Sequence, residues 1–273
     1  MSVFSCPVCG KPLLLVEKSY KCRSFHSFDV AKSGYVNLLL QNQMNAKLPG
    51  DNKMMVKARE NFLGKGFYKP LADGICNEIL QFAKPNCSVF DAGCGEGYYT
   101  TMVDDCLTSE KVPHKTFGID ISKSALGIAA KRSKSVSYAV GSLFHLPITT
   151  ASCDIIMTLF APYCGNEFLR ILSKNGIMAM VIPGQKHLWS FKKAIYDNPY
   201  ENAVKNYELD GFDLVEKVKI CNIIELKSNQ DIQNLFSMTP YFYKTSVEDS
   251  KKVLNLEKLT TETEFEILVY KKR

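Results

Sequence analysis

Apolar runs and amphipathic stretches alternate along the chain from residue 87 onward. Short apolar runs bounded by turn residues predict strands near residues 87–91, 115–120, 136–140, 153–160 and 176–182. Between them, apolar residues spaced three and four apart predict helices near residues 97–107, 122–133 and 165–173. Strands that alternate with helices form a parallel sheet. The pattern therefore predicts a doubly wound, Rossmann-like α/β domain with its ligand site at the carboxyl ends of the strands.

Two longer alternating stretches follow, at residues 211–226 and 263–270. In the second, Phe265, Ile267 and Val269 occupy every other position, as in a strand with one buried face. An antiparallel pair of these strands would complete a mostly parallel sheet of seven strands.

The region before the α/β domain is more polar. Residues 41–51 end in a Pro-Gly-Asp sequence, which suits a mobile connection and a lid over a site. Asp51 or Asn52 is predicted to cap a helix that starts near Lys53, and a second helix is predicted over residues 67–83.

These patterns divide the chain into three parts. They are an N-terminal module at residues 1–36, a linker with helices at residues 37–84, and the α/β domain at residues 85–273. The apolar segment at residues 28–40 predicts a further short strand that pairs with the N-terminal module.

The N-terminal module contains Cys6-Pro-Val-Cys9-Gly and, further on, Cys22 and His26. This C-x2-C-x12-C-x3-H spacing is typical of a tetrahedral Zn²⁺ site. Four protein ligands leave no position for water, so the zinc is predicted to be structural. Alternation around Tyr20 favours a small zinc ribbon over a ββα finger whose helix would enter a DNA groove. The alternative is four unrelated buried residues without metal.

A glycine-rich sequence, Asp91-x-Gly93-x-Gly95-x-Gly97, follows the first predicted strand of the α/β domain. A nicotinamide-binding turn would need its third glycine at the position of Tyr98. The sequence instead resembles the S-adenosylmethionine (SAM) loop of class I methyltransferases. The alternative is a glycine-rich turn without a ligand.

SAM offers a carboxylate, an ammonium group and two ribose hydroxyls, and nearby residues predict a partner for each. A helix N-terminus near Gly97 suits the carboxylate, while Asp91 and Glu96 suit the ammonium. Asp120, at the end of the next strand, suits the ribose hydroxyls. Many class I enzymes bind the adenine amino group with an acid after the third strand, whereas this chain has Ser142 there. The Ser142 hydroxyl is predicted to serve instead.

Composition and charge narrow the class of protein. The ten cysteines, without an export signal, indicate a reducing compartment and metal binding rather than disulfides. The longest aliphatic run, at residues 177–182, is too short to cross a bilayer, so a cytoplasmic protein without membrane contact is predicted. Residues 1–70 hold 11 Lys or Arg against 4 Asp or Glu, whereas the rest of the chain holds 23 against 24. A localised basic face is typical of binding to a phosphate backbone, and a merely soluble surface is the alternative.

Together these motifs resemble the RlmA family of bacterial 23S rRNA (guanine-N1)-methyltransferases over essentially the whole chain. The resemblance is carried by Phe4-Ser5-Cys6-Pro7-Val8-Cys9, the segment from Phe28 to Leu39, Pro49-Gly50-Asp51, the loop from Asp91 to Thr100, Ala161-Pro162, Pro183-Gly184 with His187-Leu188, and Met238-Thr239-Pro240.

The resemblance implies SAM-dependent methylation of guanine N1 in a hairpin of domain II of 23S rRNA. It implies that the zinc ligands are Cys6, Cys9, Cys22 and His26. It also implies SAM contacts from Tyr68, Gly95, Glu96, His187 and Leu188. Without the resemblance, Tyr68 would be interpreted as a core aromatic residue and His187 as a surface histidine.

The proton on guanine N1 must leave during transfer, so a base or an ordered water is required. Glu96, His145 and His187 lie near the predicted pocket, and the catalytic residue stays unassigned. Two other classes are open: a small-molecule SAM methyltransferase, and a zinc-dependent RNA-binding protein with a degenerate core. The sequence also leaves open which guanine is modified and whether the protein forms a homodimer.

Overall fold

The computed structural model describes residues 3–43, 50–203 and 206–273. The middle of the predicted lid, residues 44–49, lies outside the described residues. Within the described ranges, no helix combines the length and apolar character needed to span a membrane.

The N-terminal module is a small antiparallel sheet. Its strands are β1 (Leu14–Val16), β2 (Ser19–Lys21) and β3 (Ser27–Asp29), in the order β1-β2-β3. The structure thus has the predicted ribbon, and the described part of the module has no helix of the kind a ββα finger uses.

Two helices connect the ribbon to the α/β domain, α1 (Lys53–Gly64) and α2 (Lys69–Phe82). The Asn52 side chain caps α1 by accepting a hydrogen bond of 3.0 Å from the Met55 N–H, as predicted. Pro70 lies in the first turn of α2, where the N–H group that proline lacks would have no partner within the helix.

The large sheet has eight strands. They are β4 (Tyr35–Asn37), β5 (Cys87–Ala92), β6 (His114–Asp120), β7 (Ser137–Val140), β8 (Cys153–Leu159), β9 (Leu172–Pro183), β10 (Phe212–Leu226) and β11 (Leu259–Lys272). Their order is β10-β11-β9-β8-β5-β6-β7-β4, with β11 antiparallel to both of its neighbours and the remaining pairs parallel. All seven predicted strands are present, including the antiparallel pair.

Four helices of this domain alternate with its strands, and three more lie together between β10 and β11. They are α3 (Tyr98–Ser109), α4 (Lys123–Arg132), α5 (Gly165–Ile171), α6 (Trp189–Ile195), α7 (Asn229–Ser237), α8 (Tyr241–Lys244) and α9 (Val247–Asn255). Both ends of α3, α4 and α5 lie within two residues of the predicted ends, whereas α6 to α9 lie in segments for which the sequence pattern predicts no helix.

The eighth strand, β4, was not predicted as part of this sheet. Tyr35–Asn37 pairs in parallel with β7 at the edge of the sheet, and Val36 is 1% exposed. The segment at residues 28–40 therefore serves two sheets, since β3 pairs with β2 of the ribbon. The predicted boundary at residue 36 falls inside β4.

The core lies on both faces of the large sheet, and the ribbon covers part of one of them. Phe4 is fully buried, with its ring edge-on to Tyr20 of the ribbon at 5.6 Å and to Phe117 of β6 at 5.7 Å. Backbone hydrogen bonds of 2.8 Å also run from Ser5 N–H to Pro147 and from Thr149 N–H to Val3. Because a buried Phe contributes about 2 kcal/mol, this contact anchors the ribbon on the sheet.

Candidate cofactor and metal sites

Four ligand atoms of the ribbon converge at one point. The thiols of Cys6, Cys9 and Cys22 and a ring nitrogen of His26 all lie within 4.8 Å of one another. His26 Nδ1 is 3.4 Å from the Sγ atoms of both Cys6 and Cys22, and the Sγ atoms of Cys9 and Cys22 are 3.7 Å apart. A tetrahedral zinc with Zn–S distances of about 2.3 Å separates its sulfur ligands by roughly 3.8 Å. The donor set and its spacing therefore fit Zn²⁺.

Tight turns hold these ligands. Gly10 N–H donates to the Cys6 carbonyl at 2.8 Å, and Phe25 N–H donates to the Cys22 carbonyl at 3.0 Å. A hydrogen bond from the Lys11 N–H lowers the pKa of the Cys9 thiol to about 6, which favours the thiolate that a metal requires. Burial acts in the opposite direction on Cys6 and raises its pKa.

The glycine loop joins β5 to α3, and its three glycines have positive φ of +84°, +56° and +80°. A Cβ on Gly93 would lie 2.6 Å from Cβ of Ala161, and a Cβ on Gly97 would lie 2.8 Å from Cβ of Ala129. A Cβ on Gly95 would meet only Arg59 Nη1, at 3.9 Å, among the described residues. Gly93 and Gly97 thus permit close packing, and Gly95 leaves open space above the loop.

Asp120 ties this loop to the end of β6. Its Oδ2 accepts a hydrogen bond of 2.9 Å from the Gly95 N–H, and its Oδ1 accepts one of 2.8 Å from the Ser122 N–H. Burial raises the pKa of Asp120 while these two donors lower it. Each carboxylate oxygen keeps a further lone pair, so Asp120 can still accept hydrogen bonds from ribose hydroxyls.

Asp91 lies beneath the loop and is 2% exposed. Its Oδ2 accepts a hydrogen bond of 2.6 Å from the Thr100 hydroxyl of α3. Burial raises the pKa of Asp91 to about 7, against the lowering effect of Thr100. A cation placed nearby would favour the ionised form, which is consistent with the predicted ammonium partner.

Glu96 is 1% exposed, and burial raises its pKa. Arg132 Nη2 of α4 lies 3.1 Å from its Oε2. Within the described residues, neither carboxylate oxygen has an aligned hydrogen-bond donor. Glu96 is therefore partly neutralised by a guanidinium and keeps acceptor capacity for a ligand.

An aromatic wall stands beside the loop. It consists of Tyr68, Tyr99, Phe160, His187 and Phe265. The ring centroid of Tyr68 is 4.9 Å from that of Phe265, and the ring centroid of His187 is 4.5 Å from the same residue. The hydroxyls of Tyr68 and Tyr99 are buried and have no hydrogen-bond partner in the described part of the chain. Such groups cost free energy unless a ligand or water binds them.

His187 and Leu188 support this wall from the turn after β9. His187 is 6% exposed, and its Nδ1 accepts a hydrogen bond of 3.2 Å from the Glu264 N–H. Burial, helped by the nearby Lys192 charge, lowers the pKa of His187 to about 3. Leu188 is fully buried with φ +57°, and its N–H donates to the Glu262 carbonyl at 2.9 Å. Neither residue lies on the exposed surface.

The three candidate bases occupy different surroundings. Glu96 faces Arg132, and His187 is a weak base in the wall. His145 is exposed in the loop after β7, and it lines a cleft of about 450 Å³ that Cys6 and Pro7 of the ribbon also line. Ser142, next to this loop, is buried, and its Oγ accepts a hydrogen bond of 3.2 Å from the Phe144 N–H. The structure does not bring the three bases together.

Sequence patterns alone did not identify several residues at the site. Tyr99 and Phe160 belong to the aromatic wall, and the guanidinium groups of Arg59 and Arg132 lie beside the glycine loop. The position of Tyr99, in the first turn after the glycine loop, was a signal that could have identified it. The partners of Arg59 and Arg132 depend on helix packing, which sequence spacing does not reveal.

These features define the class of protein. A glycine loop between the first strand and helix of a mostly parallel sheet, an acid at the end of the next strand, and a final antiparallel strand are those of a class I SAM-dependent methyltransferase fold. Residues 83–239, more than half of the chain, match a methyltransferase-domain family model, and residues 4–47 match the model of the RlmA N-terminal zinc ribbon. The chain belongs to the methyltransferase-domain family, and its N-terminal module is the RlmA-type ribbon.

Three relatives carry related names. "Putative 23S rRNA (guanine-N(1)-)-methyltransferase" of Micromonospora griseorubida is 33% identical over 67% of this chain and 66% of its own length. The "23S rRNA (guanine(748)-N(1))-methyltransferase" of Streptomyces fradiae is 34% identical over 67% of this chain and 64% of its own length. The protein YxjB of Bacillus subtilis (strain 168), with the same name as the first, is 28% identical over 88% of this chain and 86% of its own length. The chain thus spans just under two thirds of the first two relatives.

The predicted cofactors, SAM and structural zinc, are confirmed by these family matches and by the cysteine–histidine cluster. The residues present also fit SAM. The space above Gly95 and the acceptors on Asp120 and Glu96 match its polar groups.

Proposed function

We propose that the protein transfers a methyl group from SAM to N1 of a guanine in a domain II hairpin of 23S rRNA. The observation that carries this proposal is the packing of a cationic zinc ribbon directly onto a SAM-type methyltransferase sheet, through Phe4 and Phe117. Three relatives are named as 23S rRNA (guanine-N1)-methyltransferases, and their names support the same substrate for this chain. A ribosomal substrate also implies a cytoplasmic protein.

The surface of the ribbon supports an RNA partner. Its five cationic side chains are exposed, and none forms an ion pair with any described acid: Lys11, Lys18, Lys21, Arg23 and Lys32. Phe25 is 96% exposed with φ +63° in the second turn of the metal site, where the first turn has Gly10 at φ +71°. Unpaired cations beside an exposed aromatic ring suit the phosphates and unstacked bases of an RNA loop.

The cofactor site of this proposal lies at the carboxyl edge of the sheet. Its residues are Tyr68, Asp91, Gly93, Gly95, Glu96, Gly97, Asp120, Ser142, His187 and Leu188. The division of roles belongs to the same proposal, with RNA recognition at residues 1–36, connecting helices at 37–84 and methyl transfer at 85–273, and with β4 joining the first two parts.

SAM supplies an electrophilic methyl group when bound, and the residues of the chain orient the methyl donor and the acceptor. Asp120 and the glycine loop orient the donor, and the aromatic wall excludes water from the reacting atoms. Guanine N1 must present a free Watson–Crick edge and lose its proton, so an unpaired guanine is required. His187, neutral over the physiological range, orients the wall through the Glu264 N–H rather than acting as a strong base.

The test is methylation of 23S rRNA purified from a strain that lacks the gene. Purified protein and SAM are added, and the rRNA is digested and mapped by mass spectrometry. The expected product is one N1-methylguanine within domain II. The Asp120→Ala variant is the control and should give a much lower yield.

Absence of N1-methylguanine, with SAM binding intact by calorimetry, would overturn the RNA substrate and favour a small-molecule methyltransferase. Absence of SAM binding as well would favour an RNA-binding protein with a degenerate core. Light scattering of the same sample would determine whether the protein is a homodimer.

A further inference from the structure

Phe160 combines three features that a packing residue does not need. It has φ +57° although it is bulky, and among the described non-glycine residues with positive φ the only other aromatic one is Phe25. It is 51% exposed. It also comes directly after β8, at the edge where ligands of such sheets bind. A strained backbone that exposes an apolar ring costs stability, and such strain concentrates at functional sites.

Its surroundings place it against the cofactor loop. The next residue, Ala161, has its Cβ 2.6 Å from the position a Cβ of Gly93 would take. The ring of Phe160 is supported by Phe265 at 5.6 Å and by Tyr99 at 6.5 Å, with interplanar angles of 56° and 58°. The ring is therefore held from behind while half of the residue remains free.

Polar atoms lie unsatisfied in the same wall. The hydroxyls of Tyr68 and Tyr99 are buried without a partner among the described residues, and Tyr68 as a whole is 5% exposed. A flat ligand on the ring of Phe160 would lie beside groups that can donate or accept hydrogen bonds. A heteroaromatic base satisfies both requirements, and a saturated or purely apolar ligand satisfies only one.

We propose that Phe160, whose neighbour Ala161 packs against Gly93 of the glycine loop, is the platform on which the target base stacks. This inference rests on the proposed function and names the residue that receives the guanine. Stacking on an aromatic side chain holds an unpaired base with little dependence on its identity. It would fix the plane of the guanine so that N1 can align with the methyl carbon and sulfur.

The test compares Phe160→Leu with Phe160→Trp in steady-state methylation of 23S rRNA from a strain lacking the gene. Leucine keeps apolar volume without a flat face, whereas tryptophan keeps the face. Loss of one base–aromatic stack corresponds to about a 5- to 150-fold loss in rate. The expected result is that loss in kcat for Phe160→Leu, with KM for the rRNA within twofold because most contacts lie elsewhere. Phe160→Trp should stay within about threefold of the wild type.

A third variant separates stacking from a structural role. Asparagine tolerates the left-handed conformation, so Phe160→Asn should melt no lower than the wild type and still lose activity as Phe160→Leu does. A drop in melting temperature that parallels the loss of activity would overturn the proposal. Wild-type activity in Phe160→Leu would also overturn it.

Failure of this inference is distinguishable from failure of the proposed function. If the wild type makes no N1-methylguanine, the proposed function fails. If the wild type is active and Phe160→Leu equals it, the stacking role alone fails. Calorimetry with SAM should give the same affinity for all four proteins, and weaker binding in the variants would assign Phe160 to the cofactor instead.

Discussion

Asp91 is a buried carboxyl group, and its burial makes the stability of the cofactor-free protein depend on pH. Its pKa is about 7 in the folded protein, against 3.8 for a free aspartate. Between these values the folded state binds more protons than the unfolded chain, so stability falls as pH rises through this window. Above pH 7 the full cost of burying the charge is present.

Asp91→Asn removes this titration and keeps an oxygen for the Thr100 hydroxyl. The variant is expected to be more stable than the wild type at pH 8 without SAM, and the difference should shrink by about 1 kcal/mol per pH unit between pH 7 and pH 5. Chemical denaturation at several pH values measures this. Asp105→Asn removes one carboxylate at an exposed position and is the matched control. Parallel curves for Asp91→Asn and the wild type would contradict the assignment.

Asp120 holds the glycine loop with both oxygens, so its charge serves the loop and the ligand together. In Asp120→Asn, the side-chain NH2 group would face one of the two backbone donors, the N–H of Gly95 or of Ser122, and that hydrogen bond would be lost. Because hydrogen bonds to a charged group contribute about 1.5–3 kcal/mol, we expect SAM affinity to fall roughly 10- to 100-fold. Calorimetry with SAM measures it, and Asp105→Asn again serves as control. Unchanged affinity would remove Asp120 from the ribose site.

Single residues were predictable where chemistry fixes spacing. Cys6, Cys9, Cys22 and His26 follow a ligand pattern that rarely arises without a metal, and the structure brings them together. Phe160 was not predictable in the same way, because neither its positive φ nor its exposure is visible in a sequence.

Among the elements, the ribbon depends on its metal and yet shares a core with the sheet. Cys22→Ser removes one of four ligands, and the expected result is loss of zinc and faster hydrogen exchange over residues 3–30. The melting temperature should fall by several degrees, because Phe4 would lose its packing against Tyr20 and Phe117. SAM affinity should stay within about threefold, since the glycine loop packs against Ala129 and Ala161 rather than against the ribbon.

Zinc analysis, hydrogen exchange and calorimetry on one preparation test this prediction. Cys221→Ser is the matched control, because Cys221 is exposed on β10 and lies outside the cluster. Retention of zinc by Cys22→Ser would show that three ligands suffice. A large loss of SAM affinity would show that the ribbon organises the cofactor site.

The strands of the parallel sheet were predictable because buried apolar runs between turns have few alternative structures. The partner of β4 was not, since the apolar pattern of residues 35–37 fits either sheet equally well and long-range packing decides between them. Helices α6 to α9 were missed because they are short, although two of them carry a local signal. The side chains of Ser228 and Ser246 cap α7 and α9 by accepting hydrogen bonds from the Asp231 and Asp249 N–H groups.

At the scale of the whole molecule, the ribbon fills a place that a helix would take in a doubly wound fold. The connection from β7 to β8 contains no helix in the described structure, and Phe4, Leu13 and Tyr20 cover that face of the sheet instead. The ribbon is therefore part of the core of the molecule rather than a domain on a flexible tether. A hairpin held by the ribbon would keep a fixed distance from the carboxyl edge of the sheet.

The positive charge excess of the molecule lies in residues 1–70, and the ribbon carries five of the 11 Lys or Arg of that region, which predicts how RNA binding depends on salt. Each lysine or arginine that neutralises a phosphate releases a counterion, which contributes about 0.7–0.9 to the slope of log affinity against log salt concentration. Replacing Lys18, Lys21 and Arg23 together with glutamine should therefore reduce that slope by about 2 for a domain II transcript. Filter binding over a range of salt concentrations measures the slope.

The matched control replaces Lys244, Lys251 and Lys258, which are exposed on the α/β domain and form no ion pair within the described residues. Both triple variants lose the same formal charge, so a general effect of net charge would change the two slopes equally. A specific effect of the ribbon would change only the slope of the variant that lacks Lys18, Lys21 and Arg23. Equal slopes would mean that the RNA is attracted by the whole protein, and the ribbon would then act through shape and stacking at Phe25 rather than through charge.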